Sequence, residues 1–144
     1  MTTFSEYLIE SFDNPYPFNL RKISNESYVT IVNLPDKTRL IIRFKDIGDK
    51  WDVTFSRDGA HDATGEGDQM RIFATVIAAI KEFINIEEPK IVEFEACKQN
   101  GDQYQTSSRE KLYSRMVKRF SRSLGYTAET LQWSSCTIYI LKRR

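Results

Sequence analysis

Several residue types that build common active sites are scarce in this sequence. Its 144 residues include one histidine, His61, and two cysteines, Cys97 and Cys136, with no CxxC or Cys/His spacing. A single histidine leaves little material for a Ser-His-Asp or Cys-His nucleophile, and we predict no catalytic residue and no metal site. Both cysteines fall in predicted strands, so we expect buried thiols in a reducing compartment.

Long apolar runs are also missing. No stretch approaches the roughly 20 apolar residues that a membrane-spanning helix needs, and no secretory signal peptide opens the chain. We therefore expect no membrane partner. Hydrophobic residues make up 40% of the chain and charged residues 28%, which suits a globular protein, and the length fits one domain.

The net charge is only +1, but the charges are unevenly distributed. From residue 109 onward, nine basic residues minus two acidic ones give +7. Four of the basic residues recur at the i, i+3, i+4, i+7 spacing of one helix face: Arg115, Lys118, Arg119 and Arg122. Such a stripe can neutralise phosphates, with Tyr104 or Tyr113 stacking on bases, and residues 142–144 extend it if the last strand ends nearby. The alternative is a solvated helix face.

Hydrophobic periodicity predicts the order strand, strand, strand, helix, strand, helix, strand. The predicted strands are Ser27–Val32, Arg39–Phe44, Trp51–Phe55, Ile91–Ala96 and Leu131–Leu141. One helix is predicted from an N-cap at Asp68 to about Ile84, and a second from Ser107 or Ser108 to a C′ glycine at Gly125. Because a helical crossover generally joins parallel strands, we expect an α+β domain with a mixed, mostly antiparallel sheet of about five strands and two packed helices.

The first ten residues carry a short amphipathic pattern. Phe4, Tyr7 and Leu8 share i, i+3, i+4 spacing, which predicts a short N-terminal helix, and two prolines soon afterwards end it. The predicted segments are a targeting or propeptide helix over residues 1–10, a turn-rich connector over 11–20 and a single folded domain over 21–144.

This opening segment resembles the capsid-targeting peptide of internal head proteins in large myovirus-type tailed phages. That peptide reads roughly Met-Lys-Thr-aromatic-x-Glu-aromatic-Ile-x-Glu, and a prohead protease cuts after the last Glu. Thr2 replaces the Lys, and the matching residues are Thr3, Phe4, Glu6, Tyr7, Leu8 and Glu10. The resemblance implies cleavage between Glu10 and Ser11, a phage capsid or scaffold as partner, and a location in the capsid interior and the host cytoplasm. The alternative is an amphipathic helix that docks on the domain.

The rest of the chain resembles a small domain encoded in many tailed-phage genomes. The shared segments are Asp13–Pro17, Arg71–Val76 and Ser108–Tyr113. This resemblance implies phage origin and carries no implication about chemistry.

The element order also resembles the core of the GNAT acyl-CoA N-acyltransferases. In that family a glycine-rich loop before the central helix holds the coenzyme pyrophosphate, and Gly65 and Gly67 match it. Glu66 and Asp68 place carboxylates beside such a phosphate and would repel it. The family's frequent general acid, a Tyr on the later helix, falls on Ser121, whose hydroxyl titrates too high for that role.

These features predict a phage-encoded, virion-packaged or virion-associated accessory protein that acts by binding, for example to a host or defence factor, without catalysis or a cofactor. Two alternatives stay open. One is a divergent acyltransferase that uses acetyl-CoA, and the other is a nucleic-acid-binding module that contacts packaged DNA through the basic helix.

Glu93 and Glu95 share one strand face. Two carboxylates in this arrangement can form an acid–base pair, but more often both face solvent.

Overall fold

The computed structural model describes residues 14–35, 37–58, 66–97, 106–133 and 136–144. In these ranges seven strands and two helices follow one another along the chain: β1 (Arg21–Ser24), β2 (Ser27–Asn33), β3 (Arg39–Asp46), β4 (Trp51–Asp58), α1 (Glu66–Glu87), β5 (Ile91–Cys97), α2 (Thr106–Ser123), β6 (Tyr126–Trp133) and β7 (Cys136–Arg143).

The strands form one sheet in the order β1-β2-β3-β4-β5-β7-β6. Strands β4 and β5, which α1 connects, are parallel, whereas β1–β2, β5–β7 and β6–β7 are antiparallel. The predicted α+β class and the mostly antiparallel sheet are therefore confirmed. The predicted strand number of about five is wrong, because the sheet has seven strands.

Two differences account for the extra strands. β1 has four residues, all exposed, so it carries no alternation of buried and exposed positions that could predict a strand. The segment predicted as one strand over Leu131–Leu141 contains parts of both β6 and β7, which form a hairpin in continuous register from Tyr126↔Arg143 to Trp133↔Cys136.

The helix boundaries differ from prediction at their starts. Helix α1 begins at Glu66, so Asp68 lies in the first turn and is not the N-cap. Helix α2 begins at Thr106, before either predicted capping serine. At its other end the prediction is confirmed: Gly125 has φ +83°, the left-handed conformation of a C′ glycine, and its N–H donates to the Arg122 carbonyl at 3.2 Å.

The chain divides into two compact units, one formed by the described parts of Met1–Arg43 and Phe55–Ile86 and the other by those of Phe44–Thr54 and Glu87–Arg144. In the first unit, α1 supplies a wide buried stripe, as its spacing predicts. The Tyr28 ring of β2 meets the Phe83 ring of α1 edge to face, with centroids 5.4 Å apart. From residue 71 onward, where side-chain burial is described, the buried apolar residues of α1 are Phe73, Ala74, Val76, Ile77, Ala79, Ile80, Phe83 and Ile84.

The segment before β1 is anchored to α1 in the same unit. Tyr16 is buried, and its backbone N–H donates to Thr75 Oγ1 at 2.9 Å. The Arg71 guanidinium lies 4.0 Å from the Tyr16 ring centroid and also donates to the Asn14 carbonyl at 2.8 Å. From Asn14 onward, therefore, the predicted connector makes specific contacts with the folded unit.

The second unit has its own core on one side of β5 and β7. Phe94 and Tyr139 are ladder partners, and their rings stack with centroids 5.0 Å apart. Val92 and Leu141 form the adjacent buried pair, and α2 contributes Val117 and Phe120 to the buried residues of this unit.

The cysteine prediction requires correction. Cys136 is disulfide-bonded and half-buried, not a buried free thiol. Cys97, the other cysteine of the sequence, is the backbone ladder partner of Cys136 at the end of the β5–β7 pairing. Hydrophobic periodicity placed both residues in strands but could not supply the register that sets them opposite each other.

Candidate functional site

The exposed side of α2 carries the cations that the sequence places at helical spacing. Arg115, Lys118, Arg119 and Arg122 are all exposed, whereas Val117 and Phe120, which fall between them in the sequence, are buried. The same periodicity therefore separates an apolar side that packs from a charged side in water. We call these four exposed cations the basic face.

The four cations of the basic face have no ion-pair partner among the described residues. No ion pair there joins a carboxylate to any of its four residues. Arg122 lies in the last turn of α2, where the helix dipole favours a cation. Among the described residues, this side of α2 therefore presents four exposed positive charges.

Backbone hydrogen bonds bring the end of β7 to the end of α2. The Arg144 N–H donates to the Gly125 carbonyl at 3.0 Å, just beyond the helix, and the Arg143 N–H donates to the Lys90 carbonyl at 2.8 Å. The last strand therefore ends near the helix, which is the condition that the sequence analysis set for residues 142–144 to extend the basic stripe.

The three basic residues at this end are not equally available. Lys142 Nζ lies 3.4 Å from Glu129 Oε1, and Arg143 Nη1 donates to the Glu88 carbonyl at 3.0 Å. Both contacts are between exposed groups, where an ion pair contributes little to stability. Arg144 is the member of the trio closest in backbone position to the basic face.

The other predicted site residues lie on α1, on α2 itself, on β5 or beyond the described ranges. Gly67 lies in the first turn of α1, inside the helix and not in a loop before it. Gly65 lies outside the described residues, as do the cleavage residues Glu10 and Ser11, and also His61 and Tyr104. Tyr113 is half-buried on α2, so it is a poorer candidate for stacking than the sequence suggests.

Ser121, which takes the position of the acyltransferase general acid, is buried. Its Oγ donates to the Lys118 carbonyl at 3.0 Å, within the same helix. A hydroxyl held by its own helix backbone is poorly placed to deliver a proton to a substrate.

A second charged cluster, which the sequence did not indicate, lies where β4 pairs with β5. Asp52 and Glu93 are ladder partners on these parallel strands, so their carboxylates lie on the same side of the sheet. Lys50 forms an ion pair with Glu93. The predicted companion of Glu93 was Glu95, which is exposed. Only the register between β4 and β5 could have revealed Asp52 as its neighbour.

The Asp52 carboxyl has a raised pKa. Burial is the main cause, the negative charge of Glu93 adds to it, and Lys50 opposes it. The pKa of Lys50 is also raised, chiefly by its hydrogen bond to Glu93. The cluster is therefore a partly buried carboxylate pair whose charge one lysine offsets only in part.

Replacing Asp52 with Asn is expected to stabilise the protein at pH 7. The raised pKa means that the folded state holds the Asp52 proton more tightly than the unfolded state, whose pKa is near 3.8. Folded stability therefore falls as the pH rises from about 3.8 through the folded pKa, and the substitution removes that loss. Because the site is partly exposed, we expect a gain of less than about 1 kcal/mol.

Urea unfolding of the Asp52→Asn variant at pH 7 and pH 3 measures this effect, and the gain should vanish at pH 3. Asp49→Asn, at an exposed neighbouring position, is the matched control and should give no gain. A loss of stability for Asp52→Asn at pH 7 would show that attraction to Lys50 outweighs burial and the repulsion from Glu93.

Within the described ranges, no group of three or more histidine, cysteine or carboxylate side chains is arranged to hold a metal ion. No helix in those ranges is both long and apolar enough to cross a membrane.

Comparison with known proteins finds distant structural similarity to solved structures. A "putative acetyltransferase" from Sphaerobacter thermophilus has a similar structure, with 12% sequence identity and a TM-score of 0.46 over 96% of this chain and 87% of that chain. A likeness of this size supports no statement about the activity of this chain. No protein-family model matches the sequence, and no curated protein matches it significantly. Phage origin therefore stays a prediction.

Proposed function

We propose that this chain is a non-catalytic binding protein that contacts the phosphate backbone of nucleic acid through the basic face of α2. The observation that carries the proposal is the set of four exposed cations on one helix face, with no carboxylate partner among the described residues. Phosphate contacts of this kind supply most of the sequence-independent affinity of nucleic-acid-binding proteins.

The geometry favours contact with phosphates over reading of bases. Arg115 and Arg122 are seven residue steps apart on the helix, or about 10 Å along its axis. Sequence reading needs donors and acceptors matched to base edges, and the described exposed side of α2 offers mainly cations. We therefore expect binding that depends on salt and hardly on sequence.

Two observations support the non-catalytic part of the proposal. Ser121 is buried and donates to its own helix, and Glu93 is in an ion pair with Lys50.

We also propose a GNAT-like architecture, supported by the helical crossover between the parallel strands β4 and β5. A divergent acyltransferase using acetyl-CoA is the competing function, and calorimetric titration with acetyl-CoA distinguishes the two, since measurable binding favours the enzyme.

Fluorescence anisotropy with labelled duplexes of unrelated sequence tests the nucleic-acid proposal. We expect similar affinities for all duplexes and a plot of log affinity against log salt with a slope on the order of −4, one counterion for each cation of the basic face. Affinity that does not change with salt, or no binding at low salt, contradicts the proposal.

We further propose the phage setting, in which residues 1–10 direct the chain into the capsid and are removed after Glu10. Packaged DNA is then the nearest nucleic acid, and a host protein is a further candidate partner. Mass spectrometry of purified virions tests this: a mature chain beginning at Ser11 supports it, and absence of the protein from particles contradicts it.

A further inference from the structure

The two edges of the sheet differ in how well they are protected against further pairing. In the described part of the chain, β1 and β6 are the outer strands. β1 has only four residues, its ladder is irregular between Lys22 and Ser24, and it carries two cations. Short length, irregularity and positive charge are the features by which natural sheets block edge-to-edge pairing.

β6 has none of these protective features. It is eight residues long, pairs with β7 in unbroken register, and contains neither proline nor a basic residue. Glu129 is its one charged residue, and Leu131 is 52% exposed. A long, regular and nearly uncharged edge is a template for another strand.

The hydrogen bond between Arg144 and Gly125 fixes which backbone groups of β6 point outward. These two residues extend the β6–β7 register by one pair, and antiparallel ladders alternate between bonded and non-bonded pairs. The odd-numbered residues of β6 therefore bond to β7. The outward N–H and C=O groups belong to the even-numbered residues, namely Tyr126, Ala128, Thr130 and Gln132.

We propose that β6 pairs antiparallel with β6 of a second copy of this chain, about a twofold axis at Thr130. In this register Thr130 faces its symmetry mate and Ala128 faces Gln132. Thr–Thr pairs are among the cross-strand pairs that stabilise sheets. This interface is independent of nucleic-acid binding.

The charge pattern of β6 favours this register over a pairing centred on Glu129. A pairing centred on Glu129 sets that carboxylate against its own copy, which is unfavourable. Centring the pair on Thr130 instead sets Glu129 against the exposed Leu131 of the other copy. In this register the edge can pair with a copy of itself without setting like charges opposite each other.

Sedimentation equilibrium up to about 1 mM protein, combined with amide hydrogen exchange, tests the pairing. We expect a concentration-dependent dimer in which the amides of Ala128, Thr130 and Gln132 gain protection, while those of the odd-numbered residues are protected at every concentration. A protein that stays monomeric throughout, or a dimer that leaves the even-numbered amides unprotected, overturns the proposal.

Two substitutions of Leu131, one to an acidic and one to a basic residue, test the register. Leu131→Glu places a carboxylate against Glu129 of the other copy and should weaken the dimer about tenfold, whereas Leu131→Lys should leave it unchanged or strengthen it. Ile31→Glu, at a 48% exposed residue of the interior strand β2, is the control and should have no effect. Equal weakening by both Leu131 substitutions overturns the register.

Thr130→Pro removes one outward N–H at a position where an edge strand tolerates proline, and it should abolish dimerisation. If this variant does not fold, the two Leu131 variants, which keep the backbone intact, decide the result.

Discussion

Replacing all four cations of the basic face with Gln is expected to lower the affinity for duplex DNA by a factor on the order of three thousand near 0.1 M salt. At that salt concentration the release of one counterion raises the affinity by just under a factor of ten. Four counterions together raise it by roughly three and a half powers of ten. Gln has nearly the same helix propensity as Lys and Arg, and the four side chains are exposed, so α2 should stay folded. The slope of log affinity against log salt should become shallower by about 4.

A matched control separates the basic face from total charge. Arg21, Lys37, Arg43 and Lys45 are exposed and lie outside α2, and replacing them with Gln removes the same four positive charges. We expect this variant to keep most of its affinity and salt dependence. If the two variants lose affinity equally, net charge governs binding and the basic face has no special role.

Replacing Tyr16 with Ala is expected to destabilise the protein by about 3 kcal/mol. The substitution removes a buried ring and its cation–π contact with Arg71, and the cavity it leaves adds to the cost. Urea unfolding measures the change in the free energy of unfolding. The result matters for the organisation of the chain, because it shows whether the segment before β1 belongs to the folded unit.

Phe18→Ala provides the comparison within the same segment. Phe18 is also aromatic but only half-buried, and we expect its loss to cost about 1 kcal/mol. If Tyr16→Ala costs no more than Phe18→Ala, neither the burial of the Tyr16 ring nor its contact with Arg71 stabilises the fold.

Prediction from the sequence worked best where a repeat of hydrophobicity extended over several turns. The wide stripe of α1 and the two-sided pattern of α2 were recognised because burial in a helix recurs every three or four residues. Gly125 was recognised as a C′ residue because glycine adopts positive φ at little cost. β1 was missed because all four of its residues are exposed. The β6–β7 hairpin was missed because two adjoining strands were interpreted as one long run.

In the candidate site, too, local spacing predicted some residue positions and could not predict others. The cations of α2 share one helix, so their spacing alone placed them on one face. Asp52 and Glu93 are 41 positions apart along the chain and meet only because β4 pairs in parallel with β5 in one particular register. No local pattern encodes that register, so the sequence suggested Glu95, the neighbour on the same strand, in its place.

By itself the sequence determined the α+β class, the two amphipathic helices and the charge of the basic face, because each follows from residue type and local periodicity. Tertiary structure alone decided the number and order of strands, the pairing of Asp52 with Glu93, the anchoring of Tyr16 on α1 and the meeting of Arg144 with the end of α2. These depend on hydrogen bonds and packing between residues far apart in the chain, and their stability comes from burial that no short segment can supply.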